Sequence, residues 1–223
     1  MTVTLGREID LLADYPRTPR NVEARGEAKT EADREIARRF GREFFDGDRA
    51  HGYGGFSYNP RFWTPVAPAF QRHFDLKAGD RLLDVGCAKG FMMHDFAAAV
   101  PGLEVKGVDV SDYAIAHAID DMRDHVSVAC ATDLPFPDKS FDVVVSINTI
   151  HNLDRDGCAR ALREIERVAV RGAFVTVDAY FDETQRLRME AWNLTARTIL
   201  HGDDWKRFFV EAGYSGDFYW FIP

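Results

Sequence analysis

Asp84, Gly86, Gly90 and Asp109 are the residues whose types and spacing first suggest chemistry. They lie in two short runs, LLDVGCAKG (82–90) and VKGVDVS (105–111), each an apolar stretch that ends in small or acidic residues. Gly86 permits a tight turn, Gly90 opens the segment that follows, and small residues let backbone approach a ligand closely. A carboxylate ending the next strand, Asp109, accepts both hydroxyl protons of a ribose. The pair points to an adenosine-bearing ligand. The dinucleotide fingerprint requires Gly-x-Gly-x-x-Gly; Gly86, Ala88 and Gly90 do not match it, which disfavours a pyrophosphate. On the residues alone, Asp84 could instead cap its turn. Asp109 could cap the next helix, with Ser111 or Asp112 competing for that place.

These residues need a frame. RLLDVG (81–86), EVKGVDV (104–110), HVSVAC (125–130), FDVVVSI (141–147) and GAFVTVDAY (172–180) read as strands. Residues 90–100, 112–119 and 155–169 read as the helices between them. This alternation predicts an α/β, doubly wound, mostly parallel sheet with helices on both faces. The all-apolar run VVVSI suits the centre of such a sheet. Upstream, residues 1–30 are polar and read as an irregular arm. Residues 31–45 place Ile36, Phe40 and Phe44 at helical spacing, and 61–74 form a short helix interrupted near Pro65 and Pro68. Downstream, 183–200 reads as one long helix, 202–214 as another and 217–222 as a terminal strand. The expected division is an N-terminal arm and helical lid over 1–75 and a ligand-binding catalytic domain over 76–223.

Four segments in order carry a resemblance. LLDVGCAKGFMMHDF, VKGVDVS, ATDLPFPDKSFDVVVSINTIHNL and LREIERVAVRGAFVTVD resemble the class I S-adenosylmethionine-dependent methyltransferases, over roughly residues 80–180. The resemblance implies a Rossmann-like fold and S-adenosylmethionine as methyl donor or as substrate. It implies that Asp84 contacts the methionine ammonium region and that Gly86, Cys87, Ala88 and Gly90 lie under the ligand. It implies Asp109 at the ribose, Val110 or Ser111 against adenine, and Asp133 with Leu134 at the adenine edge. It places Asn148, Thr149 and His151 toward the sulfonium and the acceptor. Two departures stand out: Ala88 replaces the usual middle glycine, and one C-terminal strand is evident where the family has an antiparallel pair.

Methyl transfer is an in-line displacement with a good leaving group, so a protein mainly aligns the partners and excludes water. A base matters only for a nucleophile with an unfavourable pKa. His151 is a candidate base or a histidine packed beneath its loop. Asp178 and Tyr180 end the fifth strand at the ligand edge, Asp178 with a helix-cap reading beside the catalytic one. The loop His51-Gly-Tyr53-Gly-Gly-Phe56-Ser-Tyr58 is flexible and aromatic, and a ring beside a sulfonium or amine gains about 0.5–2 kcal/mol. It reads either as a lid, with Tyr53 at the catalytic centre and His51 and Tyr58 beside it, or as a hydrophobic plug. In the late helix, Asn193 interrupts an apolar stripe and reaches for the substrate, while Trp192 is core or site.

Composition narrows the partners. With 223 residues and a net charge of −8, a pI near 5.4 and basic residues scattered among acids, nucleic acid and anionic membranes are disfavoured. Only three cysteines occur, none at zinc-ligand spacing, so neither a disulfide framework nor a metal is expected. No leader pattern and no apolar run of membrane length is evident, so the cytoplasm is the expected location. Oligomeric state is open, with a homodimer among the options. The leading reading is a methyltransferase of a small-molecule acceptor. A second is chemistry on S-adenosylmethionine itself, a cyclisation or lyase reaction releasing methylthioadenosine, as in the azetidine-2-carboxylate synthases that this chain resembles in fold and size. A third is a non-catalytic, cofactor-binding interaction subunit.

Overall fold

A computed structural model describes residues 4–17, 22 and 29–223. The remaining part of the expected arm, 1–3, 18–21 and 23–28, lies outside the described residues.

The arm segments come first: α1 (Glu31–Ala37), α2 (Arg42–Asp46), α3 (Pro60–Trp63) and α4 (Ala67–Phe74). Thr30 and Asp33 form a reciprocal capping box at the start of α1. The single helix expected over 31–45 is broken, because Phe40 takes a left-handed backbone with φ of 50°. The turn sends α2 off in a new direction. The interruption between α3 and α4 falls at Pro65, as the prolines predict.

The sheet follows: β1 (Arg81–Val85), α5 (Phe91–Ala99), β2 (Glu104–Asp109), α6 (Asp112–Ala116), β3 (Val126–Val128), β4 (Phe141–Ile147), α7 (Arg155–Val168) and β5 (Ala169–Tyr180). The chain ends in α8 (Glu183–Trp192), β6 (Leu200–His201), α9 (Gly202–Ala212) and β7 (Asp217–Phe221). Among the described residues the order is β3-β2-β1-β4-β5-β6, with β7 also on β5. Every pairing is parallel. β1 neighbours β2 on one side (Asp84 opposite Gly107) and β4 on the other (Asp84 opposite Val145). Strand order therefore reverses at β1, which opens a crevice outside its carboxyl end.

Two apolar layers hold the sheet. On one face α7 and α9 bring Leu162, Ile165, Trp205 and Phe209 against Leu83, Val144, Val175 and Val177. On the other, α4 and α5 bring Phe70, Met93 and Phe96 against Leu82, Val105, Val143 and Phe174. A buried Phe or Leu side chain contributes about 1.5–3 kcal/mol each, which fixes the strand ends that carry the site.

Two expectations for the C-terminal region are corrected. The helix expected over 183–200 stops at Trp192, because the Asn193 side chain accepts from Ala196 N–H (2.8 Å) and donates to Ala196 C=O (2.9 Å). Asparagine amides compete with the helix for backbone partners in this way. The terminal strand is parallel to β5 (Phe174 opposite Asp217, Asp178 opposite Phe221), so among the described residues no antiparallel pair exists. β7 is flanked by the arm, where Ile9 N–H donates to Phe218 C=O (3.0 Å).

Candidate functional site

The turn after β1 alternates left-handed positions: Gly86 at φ 91°, Ala88 at 50° and Gly90 at 78°. At Gly86 a side chain has no room, since an added Cβ would lie 2.1 Å from Thr149 Oγ1. Gly86 and Cys87 N–H groups both donate to Val108 C=O (2.7 and 3.0 Å), which folds the turn onto the end of β2. Ala88 N–H then donates to Asp109 Oδ2 (2.8 Å) and Ser111 N–H to Oδ1 (2.9 Å). The carboxylate is thereby fixed by backbone from two segments, with lone pairs left for further donors.

Burial governs the charges here. It pushes the Asp84 carboxyl up to about 8, with Asp109 adding to the effect. Burial also raises Asp109, against the opposing N–H groups of Ser111, Ala88 and Val110. Cys87 is held far above its ordinary value by burial and by the two acids, and stays a thiol. Two hard-to-ionise carboxyls in one crevice make a site that gains from a cation or from hydroxyl donors.

Beyond the turn, Ser111 is the N-cap of α6, accepting from Ala114 N–H (3.0 Å) and donating to Phe40 C=O. The helix-cap role thus falls to Ser111, leaving Asp109 to the turn. Val110 is 58% exposed at the mouth of β2, free to pack against a ring, whereas Ser111 is buried. Asp133 is exposed; Leu134 is buried and its N–H is held by Glu164 Oε2 (2.7 Å).

At the end of β4, Asn148 is left-handed with φ of 52°. Its Oδ1 accepts from Thr176 Oγ1, and its N–H donates to the same hydroxyl oxygen, both at 2.9 Å. His151 is buried; its Nδ1 accepts from Asp178 N–H (3.0 Å), and the Asp178 carboxylate is 3.6 Å away. Burial lowers the His151 pKa and Asp178 only partly opposes it, so the ring is neutral with its proton on Nε2. Trp205 Nε1 donates to Asp178 C=O (2.9 Å). Asp178 sits within β5, not at a helix cap. Tyr180, two residues on, is half-buried at the rim.

The aromatic loop lies over the glycine turn. Lys89, inside that turn, is buried and sends its ammonium to Asp46 Oδ2 (2.6 Å) and Phe56 C=O (2.8 Å). Tyr113 OH donates to the same Asp46 oxygen (2.8 Å). Burial pulls the Asp46 pKa up, but Lys89, Phe56 N–H and Tyr113 outweigh it and bring it to about 2. Phe56 stacks on Phe91 at the start of α5 (4.9 Å), and Tyr53 packs on Phe56 (4.4 Å). Tyr53 is 45% exposed on the outer side of this cluster. Tyr58 OH donates to Asp95 (2.7 Å) and His51 Nε2 meets Asp33 Oδ1 (3.1 Å), so both anchor the loop. Lys89, Asp46 and Tyr113 are not among the residues that sequence motifs single out; the one local signal is a charged residue within a glycine turn.

Toward the other rim, Trp192 lies half-buried beside Phe221 (6.1 Å), and Lys29 Nζ binds its carbonyl and sits 5.6 Å from its ring. A cavity of about 300 Å³ opens beside it, lined by Tyr180, Arg186, Glu190, Asn193, Arg197 and Ile199 among others. Among the described residues no group of three or more His, Cys, Asp or Glu could hold a metal ion. No helix among them is long and apolar enough to cross a membrane.

Comparison with known proteins adds to this geometry. Residues 83–177 match the model of a family described as a methyltransferase domain. The chain is 39% identical over 153 residues to 27-O-demethylrifamycin SV methyltransferase of Amycolatopsis mediterranei, covering 62% of this chain and 55% of that protein. It is 33% identical over 180 residues to methyltransferase GfsG of Streptomyces halstedii, covering 71% and 64%. The chain therefore spans between half and two thirds of the length of these curated relatives. The crystal structure of the [4+2]-cyclase SpnF superimposes with a TM-score of 0.54 at 26% identity, over 67% of this chain and 57% of that one.

Proposed function

Since this chain belongs to the class I S-adenosylmethionine-dependent methyltransferase family, we propose that it methylates a small-molecule acceptor. The observation that carries the reading is the Asp109 carboxylate, pinned by Ala88 and Ser111 N–H at the crevice where strand order reverses. The residues present fit the family's ligand: Asp84 is a buried carboxyl that a cationic ammonium would ionise, and Gly86 keeps the turn bare of a side chain. When bound, S-adenosylmethionine supplies a methyl group on a sulfonium whose departure as a thioether needs no acid.

What this chain does is bind, align and dry the site. Asp109 accepts from the ribose hydroxyls, Asp84 holds the ammonium and Val110 offers an apolar face to the adenine, with Asp133 at its edge. Asn148, held left-handed by Thr176, shapes the floor between cofactor and acceptor; strained positions of this kind cluster at functional sites. The arm and helical lid over 1–75 is held on the glycine turn through Lys89 and Asp46, and residues 76–223 form the catalytic domain. His151 acts as a positioning residue, because its Nδ1 is engaged by Asp178 N–H and its ring is buried. The acceptor is therefore one that reacts without strong base assistance.

The SpnF likeness shows that a cyclase shares this fold, which keeps chemistry without methyl transfer in view. The deciding experiment incubates the protein with S-adenosylmethionine, with and without a panel of phenols, amines and thiols. S-adenosylhomocysteine formed only with an acceptor, alongside a methylated product, is the expected result. Methylthioadenosine formed without any acceptor would replace this reading with cyclisation or lysis.

A further inference from the structure

The cavity beside β5 carries side-chain donors that have no protein partner among the described residues. It is about 300 Å³ in volume, at the lower end of the range for small-ligand pockets. Its lining includes two guanidinium groups, Arg186 and Arg197, and one carboxylate, Glu190. Arg186 is spent, gripping Glu183 and Glu190 from both sides. Arg197 is exposed, and neither its guanidinium nor the Tyr180 hydroxyl has a hydrogen-bond or ion-pair partner among the described residues.

The backbone that carries Arg197 is fixed. Arg197 and Thr198 N–H groups both donate to His151 C=O at 3.0 Å. Thr198 Oγ1 donates to Leu153 C=O (2.8 Å). The Asn193 amide closes the other end of the segment through Ala196. These bonds tie residues 193–198 to the turn that follows β4, so the backbone from which the Arg197 side chain projects is held at the carboxyl edge of the sheet. A rigid base lowers the ordering cost of binding. An unpaired guanidinium presents a fork of N–H donors matched to carboxylate, and a phenol adds one more donor.

We propose that this cavity is the acceptor pocket and that it takes an acceptor bearing a carboxylate, held by Arg197 and Tyr180. The proposal rests on the methyltransferase reading above and names the class of its acceptor. Asn193 is then a positioning residue: both polar atoms of its amide are used within the loop, and it builds the wall without touching the acceptor.

The test uses the full chain saturated with S-adenosylhomocysteine, whose own binding is measured first by calorimetry. Benzoate, salicylate and 3-phenylpropanoate are then titrated, each against its primary amide. The expected result is at least one acid that binds tenfold or more tightly than its amide, a preference that falls to within twofold in Arg197→Gln and is partly kept in Arg197→Lys. Tyr180→Phe is expected to weaken the same acid by a smaller factor. Equal binding of every acid and its amide, or an acid preference that survives Arg197→Gln, overturns the proposal while leaving the methyltransferase reading intact. Failure of S-adenosylhomocysteine itself to bind overturns both.

Discussion

The two rims of the crevice are built differently. The turn after β1 is made of backbone: three left-handed positions, two N–H groups on Val108 C=O and one on Asp109, which Ser111 N–H holds from the other side. The rim after β5 is made of side chains, with Asn193, Thr198, Tyr180 and Arg197 setting its shape and charge. Backbone geometry serves a ligand shared by a family, while side chains set what differs among its members. The difference teaches where tolerance to mutation ends, and it separates damage to the proposed cofactor half from damage to the proposed acceptor half.

Gly86→Ala strikes the backbone-built half hardest. Its Cβ would meet Thr149 Oγ1 at 2.1 Å with φ at 91°. Overpacking and a left-handed non-glycine residue together cost about 3 kcal/mol or more. Chemical denaturation is expected to show that loss, with cofactor binding reduced in whatever remains folded. Stability within about 0.5 kcal/mol of the parent would mean the turn is looser than its geometry.

The charge state of the same half gives the next effect. Asp84 titrates near 8 because burial disfavours its anion, so below that pH the free site holds a neutral carboxyl. A ligand ammonium favours the anion, and binding then releases a proton. Affinity for S-adenosylhomocysteine is therefore expected to rise from pH 6 to 7.5, by up to about tenfold per unit, and to level off near 8. Asp84→Asn should flatten the slope; a slope unchanged in that variant would assign it elsewhere.

Asn193→Ala tests the side-chain half. Losing both hydrogen bonds to Ala196 is expected to cost about 1–2 kcal/mol and to raise the KM for acceptor with cofactor affinity unchanged. An equal rise in cofactor Kd would erase the distinction between the rims. The smallest effect is expected at Ala88, whose φ of 50° suits glycine: Ala88→Gly should stabilise by about 1 kcal/mol, read as a rise in Tm.

The same contrast explains what was legible in the sequence. The strands β1, β2, β4 and β5 and the helices α5 and α7 follow from local periodicity, and Asp84, Gly86, Gly90 and Asp109 fall where strand, turn and strand dictate. Phe40 broke a helix that its neighbours favour, because Ser111 bonds to its carbonyl from far along the chain. The helix over 183–192 ends because the Asn193 side chain takes the backbone of Ala196, three residues further on, and the direction of β7 depends on pairing with β5, to which no local pattern speaks. Lys89 looked like one more loop residue; its partners Asp46 and Phe56 are brought to it only by tertiary packing. Arg197 carried no signal at all, since an exposed arginine reads alike anywhere on a surface.

The central proposal is that the Asp109 carboxylate, at the end of β2, holds a ribose. Calorimetry of S-adenosylhomocysteine with the parent and with Asp109→Ala tests it most directly. Two charge-assisted hydrogen bonds at about 1.5–3 kcal/mol each predict a loss of at least roughly 100-fold in affinity, with the thermal unfolding of the variant still cooperative. An affinity unchanged in a folded Asp109→Ala protein would contradict it.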